Sequence, residues 1–327
     1  MWVVLVHQVL SQQKFLFCLF NKLANWRRYY NICRSLNIND ISQLLDYLKN
    51  NKILMLDLLK ARKMIKDIHQ DYLWQKKERS YIVSYDSQLY PPLLRFIYNP
   101  PAILYVLGNV NCLASSSVAI VGSRKTSPSG IDSAKCFASK LSDYGLIVIS
   151  GLAMGTDIAC HLSCIAGGYA SIAVMPAGLE HITPKLHLRV AEQIIKNGAL
   201  ISEVAPFVSP KPYHFPQRNR LISGISLGVL VVEAEYPSGT TITARHALEQ
   251  NRSVMVVPGA INNPLAAGCL QLIKQGACCI TGVNDVLAEL GLPNSGAINS
   301  LICSNNIVLN SIDFAATPVA KVLQRTK

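Results

Sequence analysis

The sequence predicts an α/β fold, a doubly wound and mostly parallel sheet preceded by a small all-helical region. Three observations carry this expectation. From residue 118 onward, short apolar runs alternate with segments of helical spacing. Most of the runs lack the in–out alternation of a half-exposed strand, as parallel strands covered on both faces do. The segments between them, about ten to sixteen residues each, satisfy the crossover that parallel strands need.

Residues 1–78 come first. Leu44, Leu45 and Leu48, then Leu54, Met55, Leu58 and Leu59, then Met64, Ile65 and Ile68 recur at helical spacing, with Asn39-Asp40 as an N-cap. No strand–helix alternation occurs there, so a helical domain is expected to end near the basic stretch Gln75–Arg79. Residues 79–291 then form the main domain. Its lead-in contains YIVSYDSQLYPPLLRFIYNPPAILYVLGN, whose double prolines at 91–92 and 100–101 forbid continuous helix. Within it, Ile103–Leu107 is expected to pair at a sheet edge. The strands that follow are Val118–Val121, Leu146–Ser150, Ser171–Met175, Ala199–Ser202, Val229–Glu233 and Val254–Val257, with a short Cys278–Ile280 last. This rhythm is that of a Rossmann-like sheet. After Gly291 and Pro293 a polar tail, residues 292–327, is too short for a further domain.

Composition narrows the function. Half of the 327 residues are hydrophobic and 15% are charged, which excludes a disordered chain. The net charge of +12 is uneven: residues 1–79 hold fourteen Lys/Arg against six Asp/Glu, and the remainder seventeen against thirteen. Such a surplus favours a polyanionic partner through counterion release, and equally describes a solvated basic face. The ten cysteines show no CxxC pair and no metal-ligand spacing, so neither metal nor other cofactor is expected. They read as reduced thiols of a cytoplasmic protein. The opening WVVLV run is too short to span a bilayer.

In such a sheet the ligand belongs at the carboxyl ends of the strands. There VAIVGSR ends a strand with Gly122, Ser123 and Arg124, followed by Lys125, joining anion-binding backbone to positive charge. SGLAMGTDIACH places Ser150, Gly151 and Gly155 at a second strand end, where glycine permits close backbone approach. Asp157 and His161 follow at i, i+4, as an acid–base pair or, more commonly, as a structural hydrogen bond. GLEHITPK supplies Lys185, a phosphate contact or an exposed lysine. FPQRNR combines Phe215, Arg218, Asn219 and Arg220, a mixture of stacking surface, amide and charge that suits nucleic acid. In EAEYPSGTTITA, Ser238 and Gly239 open a helix and serve either an anion or the cap alone. No Ser-His-Asp order, GxSxG elbow or HxE/CxxC set is present.

Taken together, VAIVGSR, SGLAMGTDIACH, the glycines at 167–168, SE at 202–203, FPQRNR, VVEA with SGTTITA, and VPG before LIKQGA stand in the order found in the DprA/Smf family, which this chain resembles over roughly residues 80–290. The resemblance implies a non-enzymatic single-stranded DNA binder of natural transformation that protects incoming DNA, loads the recombinase RecA and acts as a homodimer. A single-strand-binding protein is a further implied partner, and no membrane is. It implies DNA contacts at Gly122, Ser123, Arg124, Lys185, Arg218, Asn219 and Arg220. The segment bearing Leu270, Ile273, Lys274 and Cys279 matches the region of self-association and RecA contact. The N-terminal helical region resembles the family's SAM-like domain only loosely. Three departures stand out: Thr183 precedes the proline where the family usually has Tyr, the helix at 269–275 reads CLQLIKQ where the family often has Asn before the Leu, and no C-terminal winged helix is expected. The alternative is a Rossmann-like enzyme similar to nucleotide phosphoribohydrolases, which need a PGGxGT-type loop where this chain has PSGTT. A pure protein-interaction scaffold is a third class.

Overall fold

The computed structural model of the protein describes residues 26–36, 38, 43 and 58–293. The N-cap at Asn39-Asp40, the apolar spacing from Leu44 to Met55, the opening WVVLV run and the tail beyond Pro293 lie outside the described residues. Helices α1 (Trp26–Ser35) and α2 (Leu58–Gln75) precede strands β1 (Ser80–Ser84), β2 (Ile103–Gly108) and β3 (Ser117–Val121). Then come α3 (Pro128–Asp143), β4 (Ile147–Ser150), α4 (Thr156–Ala166), β5 (Ser171–Val174), α5 (Leu188–Asn197) and β6 (Ala199–Ser202). The chain continues through α6 (His214–Ile225), β7 (Gly228–Val231), α7 (Gly239–Glu249), β8 (Ser253–Val256), α8 (Ala267–Lys274), β9 (Cys278–Cys279) and α9 (Val283–Glu289).

Among the described residues the strands form one sheet in the order β1-β2-β6-β5-β4-β3-β7-β8-β9. From β3 to β9 all pairings are parallel. The strands expected from Val118 to Ile280 are all present, their ends displaced by at most two residues. One expectation is corrected. Ile103–Leu107 is the second strand, not the edge: it lies between β6 and β1 and runs antiparallel to both. The edge is Ser80–Ser84, which the sequence hides because five residues between a basic stretch and a proline-rich turn carry little pattern.

Strand residues alternate between two faces. Ala119, Val121, Ile149, Val174, Val229 and Val256 meet Leu221 and Ile222 of α6, Ala244 of α7 and Leu272 of α8. Val118, Ile120, Val148, Leu230 and Met255 turn the other way, onto Phe137 and Leu141 of α3, Cys160 of α4 and Leu287 of α9. Farther along that second face, Tyr105, Ala173 and Leu200 receive Ile194 of α5, Trp26 of α1, and Ile68 and Trp74 of α2. With both faces covered, β3, β5, β6 and β7 are buried at every residue, which is why they are continuous apolar runs.

Helix α2 lies on the amino-terminal side of the expected boundary at 78/79, yet it is fastened to the sheet. Trp74 is 1% exposed, meets Tyr105 edge-on at 5.8 Å between centroids, and donates Nε1–H to Glu180 at 2.8 Å. The Tyr105 hydroxyl in turn donates to buried Asp71 of α2 at 2.7 Å.

The strand order fixes where a ligand can sit. The chain winds outward from β3 through β4 and β5 to β6, then returns to lay β7 against the other side of β3. Loops leaving the carboxyl ends of β3 and β7 therefore part in opposite directions and open a crevice.

Candidate functional site

That crevice has a volume of about 480 Å³ and lies over the ends of β3, β4 and β7. Of the residues singled out in the sequence, Gly122, Ser123, Arg124, Lys125, Asp157, Phe215, Arg218, Asn219, Ser238 and Gly239 line it. The β3 loop that forms one wall is tied from several sides. Thr240 Oγ1 donates to the Gly122 carbonyl at 2.9 Å, and Lys125 N donates to Ser123 Oγ at 3.0 Å. Gly155, at φ 77°, presses against the same loop, where a Cβ would collide with the Ser123 carbonyl. The side chains of Arg124 and Lys125 remain exposed, with no carboxylate partner among the described residues. The Arg124 guanidinium lies over the Phe215 ring, 5.7 Å from its centroid, which fixes the charge at the mouth of the crevice.

Beside the first turn the N-cap residue of α3, Ser127, holds an anion of the protein's own, the Glu233 carboxylate, through its N at 2.8 Å and its Oγ at 2.6 Å. The second helix start, at α7, is capped by Ser238 and Thr241, each side chain accepting the other's backbone N–H. Ser238 thus performs the capping alternative while its neighbour Gly239 stays exposed to the crevice.

The arginines of FPQRNR separate. Two residues apart on α6 means about 200° of rotation, so their side chains leave opposite sides of the helix. Arg218 turns under the crevice floor. Its Nη1 donates to the carbonyls of Gly151, at 2.8 Å, and Val174, and its Nε to Asn219 Oδ1 at 3.1 Å. Burial lowers this guanidinium to about 10, Asp157 pulling it back up and Arg124 pushing it further down. Arg220 instead pairs with Glu203, whose carboxyl burial raises and Arg220 lowers. Asn219 donates Nδ2–H to the Gly239 carbonyl at 3.4 Å and joins α6 to the start of α7.

Asp157 and His161 do not form the acid–base pair. Asp157 accepts the N–H groups of Gly151 at 3.1 Å and Ala153 at 3.2 Å, and so orders the β4 loop. Burial raises its carboxyl, against the pull of Arg218 and these backbone donors. His161 points away to Ser171 Oγ at 3.0 Å, and burial, then His187, lowers its imidazole to about 3.

The remaining residues lie elsewhere. Ser150 is fully buried and donates to the Ile120 carbonyl at 2.7 Å. Lys185 is exposed at the start of a short 3-10 turn in the β5 loop, outside the crevice lining. Leu270 and Ile273 are half-buried on α8, while Lys274 and Cys279 are exposed, at the β9 end of the sheet. Sequence reasoning missed Glu233 as an internal anion and missed the exposed side chains Met154, Tyr213 and Tyr236, 53%, 52% and 60% exposed, which stand within two residues of lining residues in the chain. Lys211 stands over the Tyr213 ring at 5.8 Å. The SPKPY stretch before α6 was the signal available for it. Among the described residues no group of His, Cys, Asp or Glu is placed to hold a metal, and no helix is long and apolar enough to cross a membrane.

The comparisons with known proteins agree with the fold. The profile of the DNA recombination-mediator protein A family matches residues 81–291. The chain belongs to that family. It is 41% identical over 226 residues to Protein Smf of Escherichia coli, covering 69% of this chain and 60% of that protein. To the DNA processing protein DprA of Streptococcus pneumoniae it is 40% identical over 200 residues, 61% of this chain and 71% of the relative. The chain thus spans less than two thirds of the length of the E. coli relative. Among solved structures, DNA processing protein A of S. pneumoniae aligns with TM-score 0.65 at 34% identity, covering 75% of this chain and 90% of that one. DNA processing protein A of Helicobacter pylori, described for its single-stranded DNA binding mode, aligns with TM-score 0.58 at 26% identity, covering 69% and 97%.

Proposed function

We propose that this protein binds single-stranded DNA across the crevice at the ends of β3 and β7, holding the strand without chemistry on it. The observation that carries this reading is the Arg124–Lys125 loop: two exposed cations without carboxylate partners among the described residues, one of them stacked on Phe215. Phosphates follow such charges, and unpaired bases stack on exposed aromatic rings without demanding a sequence. Tyr213 and Tyr236 are exposed rings of that kind, with Lys211 over the Tyr213 ring, while half-buried Phe215 carries Arg124. Family membership and the single-strand binding of the H. pylori relative support the same ligand.

The fuller reading is a cytoplasmic recombination mediator that pairs through the α8–β9 region, protects the strand, and delivers RecA to DNA carrying single-strand-binding protein. Fluorescence anisotropy with a labelled oligo-dT, alongside AMP, tests the central part. Binding that weakens with salt and ignores AMP is the expected result; AMP turnover would favour the phosphoribohydrolase alternative instead. Pairing has its own check: Ile273→Glu should give monomers by light scattering, and an unchanged dimer removes α8 from the interface.

A further inference from the structure

Between β6 and α6, residues 207–213 are all exposed, and they include two aromatic rings, Phe207 at 47% and Tyr213. The stretch is stiff. Pro206, Pro210 and Pro212 fix its backbone and hold Ser209 and Lys211 extended. It is also laced to the β5 loop: Gly178 N donates to the Val208 carbonyl at 2.9 Å, Glu180 N to the Pro206 carbonyl at 3.0 Å, and His181 Nε2 to the Phe207 carbonyl at 3.0 Å. The two loops lie so close that a Cβ on Gly178 would collide with the Ala205 and Pro206 carbonyls. The rings are therefore presented to solvent in advance, and little ordering is left for a ligand to impose.

Each ring carries a cation. Lys211 Nζ stands over Tyr213, and Lys77 Nζ, just past the end of α2, lies 5.6 Å from the Phe207 centroid. The carboxylates of these loops are taken, Glu180 by Lys77 at 2.7 Å and Glu203 by Arg220. Lys211 and Lys185 have no carboxylate partner among the described residues, so the surface is positive on balance. At its far end the stretch runs into Phe215 and Pro216, which line the crevice. In the sheet β6 stands three strands from β3, about 14 Å at ordinary strand spacing. Residues 207–213 reach at most about 20 Å, so they are long enough to bridge that interval.

We propose that residues 207–213 are a track that carries an unpaired strand from the crevice to the end of α2, with Lys211 on a phosphate and Phe207 beneath a base. The track rests on the single-strand reading above and extends it beyond the crevice lining. Phosphates follow the unbalanced cations, and a base of any kind stacks on a ring. Because Glu180 balances Lys77, the α2 end offers stacking and not charge, whereas Lys211 offers charge.

Fluorescence anisotropy on the full chain, with oligo-dT of about twenty nucleotides and a competing strand of about three, tests the track. Phe207→Ala should weaken the long strand about tenfold, the loss of one stacked base, and the short one less than about twofold. Its salt slope should match the parent's, because no charge is removed. Phe207→Tyr keeps a ring and should restore the parent's affinity. Lys211→Gln should instead shrink the slope for the long strand by about 0.7. A Phe207→Ala chain that binds the long strand as the parent does overturns the track, as it would if a protein covered these rings. Equal losses for both lengths also overturn it, since the ring would then act on the crevice and not beyond it. Failure of the parent to bind either strand removes the single-strand reading itself, an outcome that no Phe207 variant can produce.

Discussion

Arg124 and Arg218 line the same crevice and use the same guanidinium for opposite ends. Arg124 is exposed, rests on Phe215 and has no carboxylate partner among the described residues. Arg218 is 6% exposed and is committed to the carbonyls of Gly151 and Val174, beside Asp157. The first has charge to offer a ligand. The second holds the ends of β4 and β5 in register so that the crevice exists. Proximity to a pocket therefore does not identify a ligand contact; the partners already engaged do.

The sharpest way to break this contrast is Arg218→Ala. It leaves two carbonyls and the buried Asp157 carboxylate without their cation, so stability should fall by about 3–5 kcal/mol in urea unfolding. A loss of DNA affinity at unchanged stability would show that Arg218 contacts the ligand after all. Next comes Arg124→Ala with Lys125→Ala. Two charge-assisted contacts at roughly 1.5 kcal/mol each predict about a hundredfold weaker oligo-dT binding, with stability unaltered. The slope of log K against log salt should shrink by about 1.4 for the two lost charges. An unchanged slope would place the strand elsewhere.

Acid tests the supporting side of the contrast. The His161 imidazole is lowered from 6.5 to about 3 in the folded chain, chiefly by burial. Between those values the unfolded chain binds a proton that the folded one refuses, so this group makes stability fall as pH falls, by up to about 1.4 kcal/mol per unit. Asp157 and Glu203, raised by burial, act with the opposite sign at the lower end. His161→Leu should therefore flatten the decline between pH 6.5 and 4 relative to the parent; identical profiles would mean that the folded imidazole does protonate. Smallest is Lys185→Ala. One exposed charge outside the crevice lining should cost several-fold in oligo-dT affinity, and no change would confine the strand to the Arg124 side.

The sheet was legible because strands covered on both faces must be apolar throughout, and turns bearing glycine, serine and proline punctuate them. β1 was not legible, since its pairing with β2 depends on a proline-rich loop returning from the rim. Strand ends likewise placed Gly122 to Lys125 and Ser238-Gly239 correctly at one crevice. What each charge does there was hidden. Arg218 finds its acceptors 67 and 44 residues away, and Glu233 meets Ser127 across 106. Such partnerships exist only once β4, β5 and β7 stand beside β3, and no local pattern announces them.

The bond between Trp74 and Glu180 reaches beyond stability. Glu180 takes both the Trp74 indole and the Lys77 ammonium, at 2.8 and 2.7 Å, and belongs to the loop that carries Lys185. The loop that carries Lys185 is thus leashed to the end of α2, and drawing that helix away would free the loop.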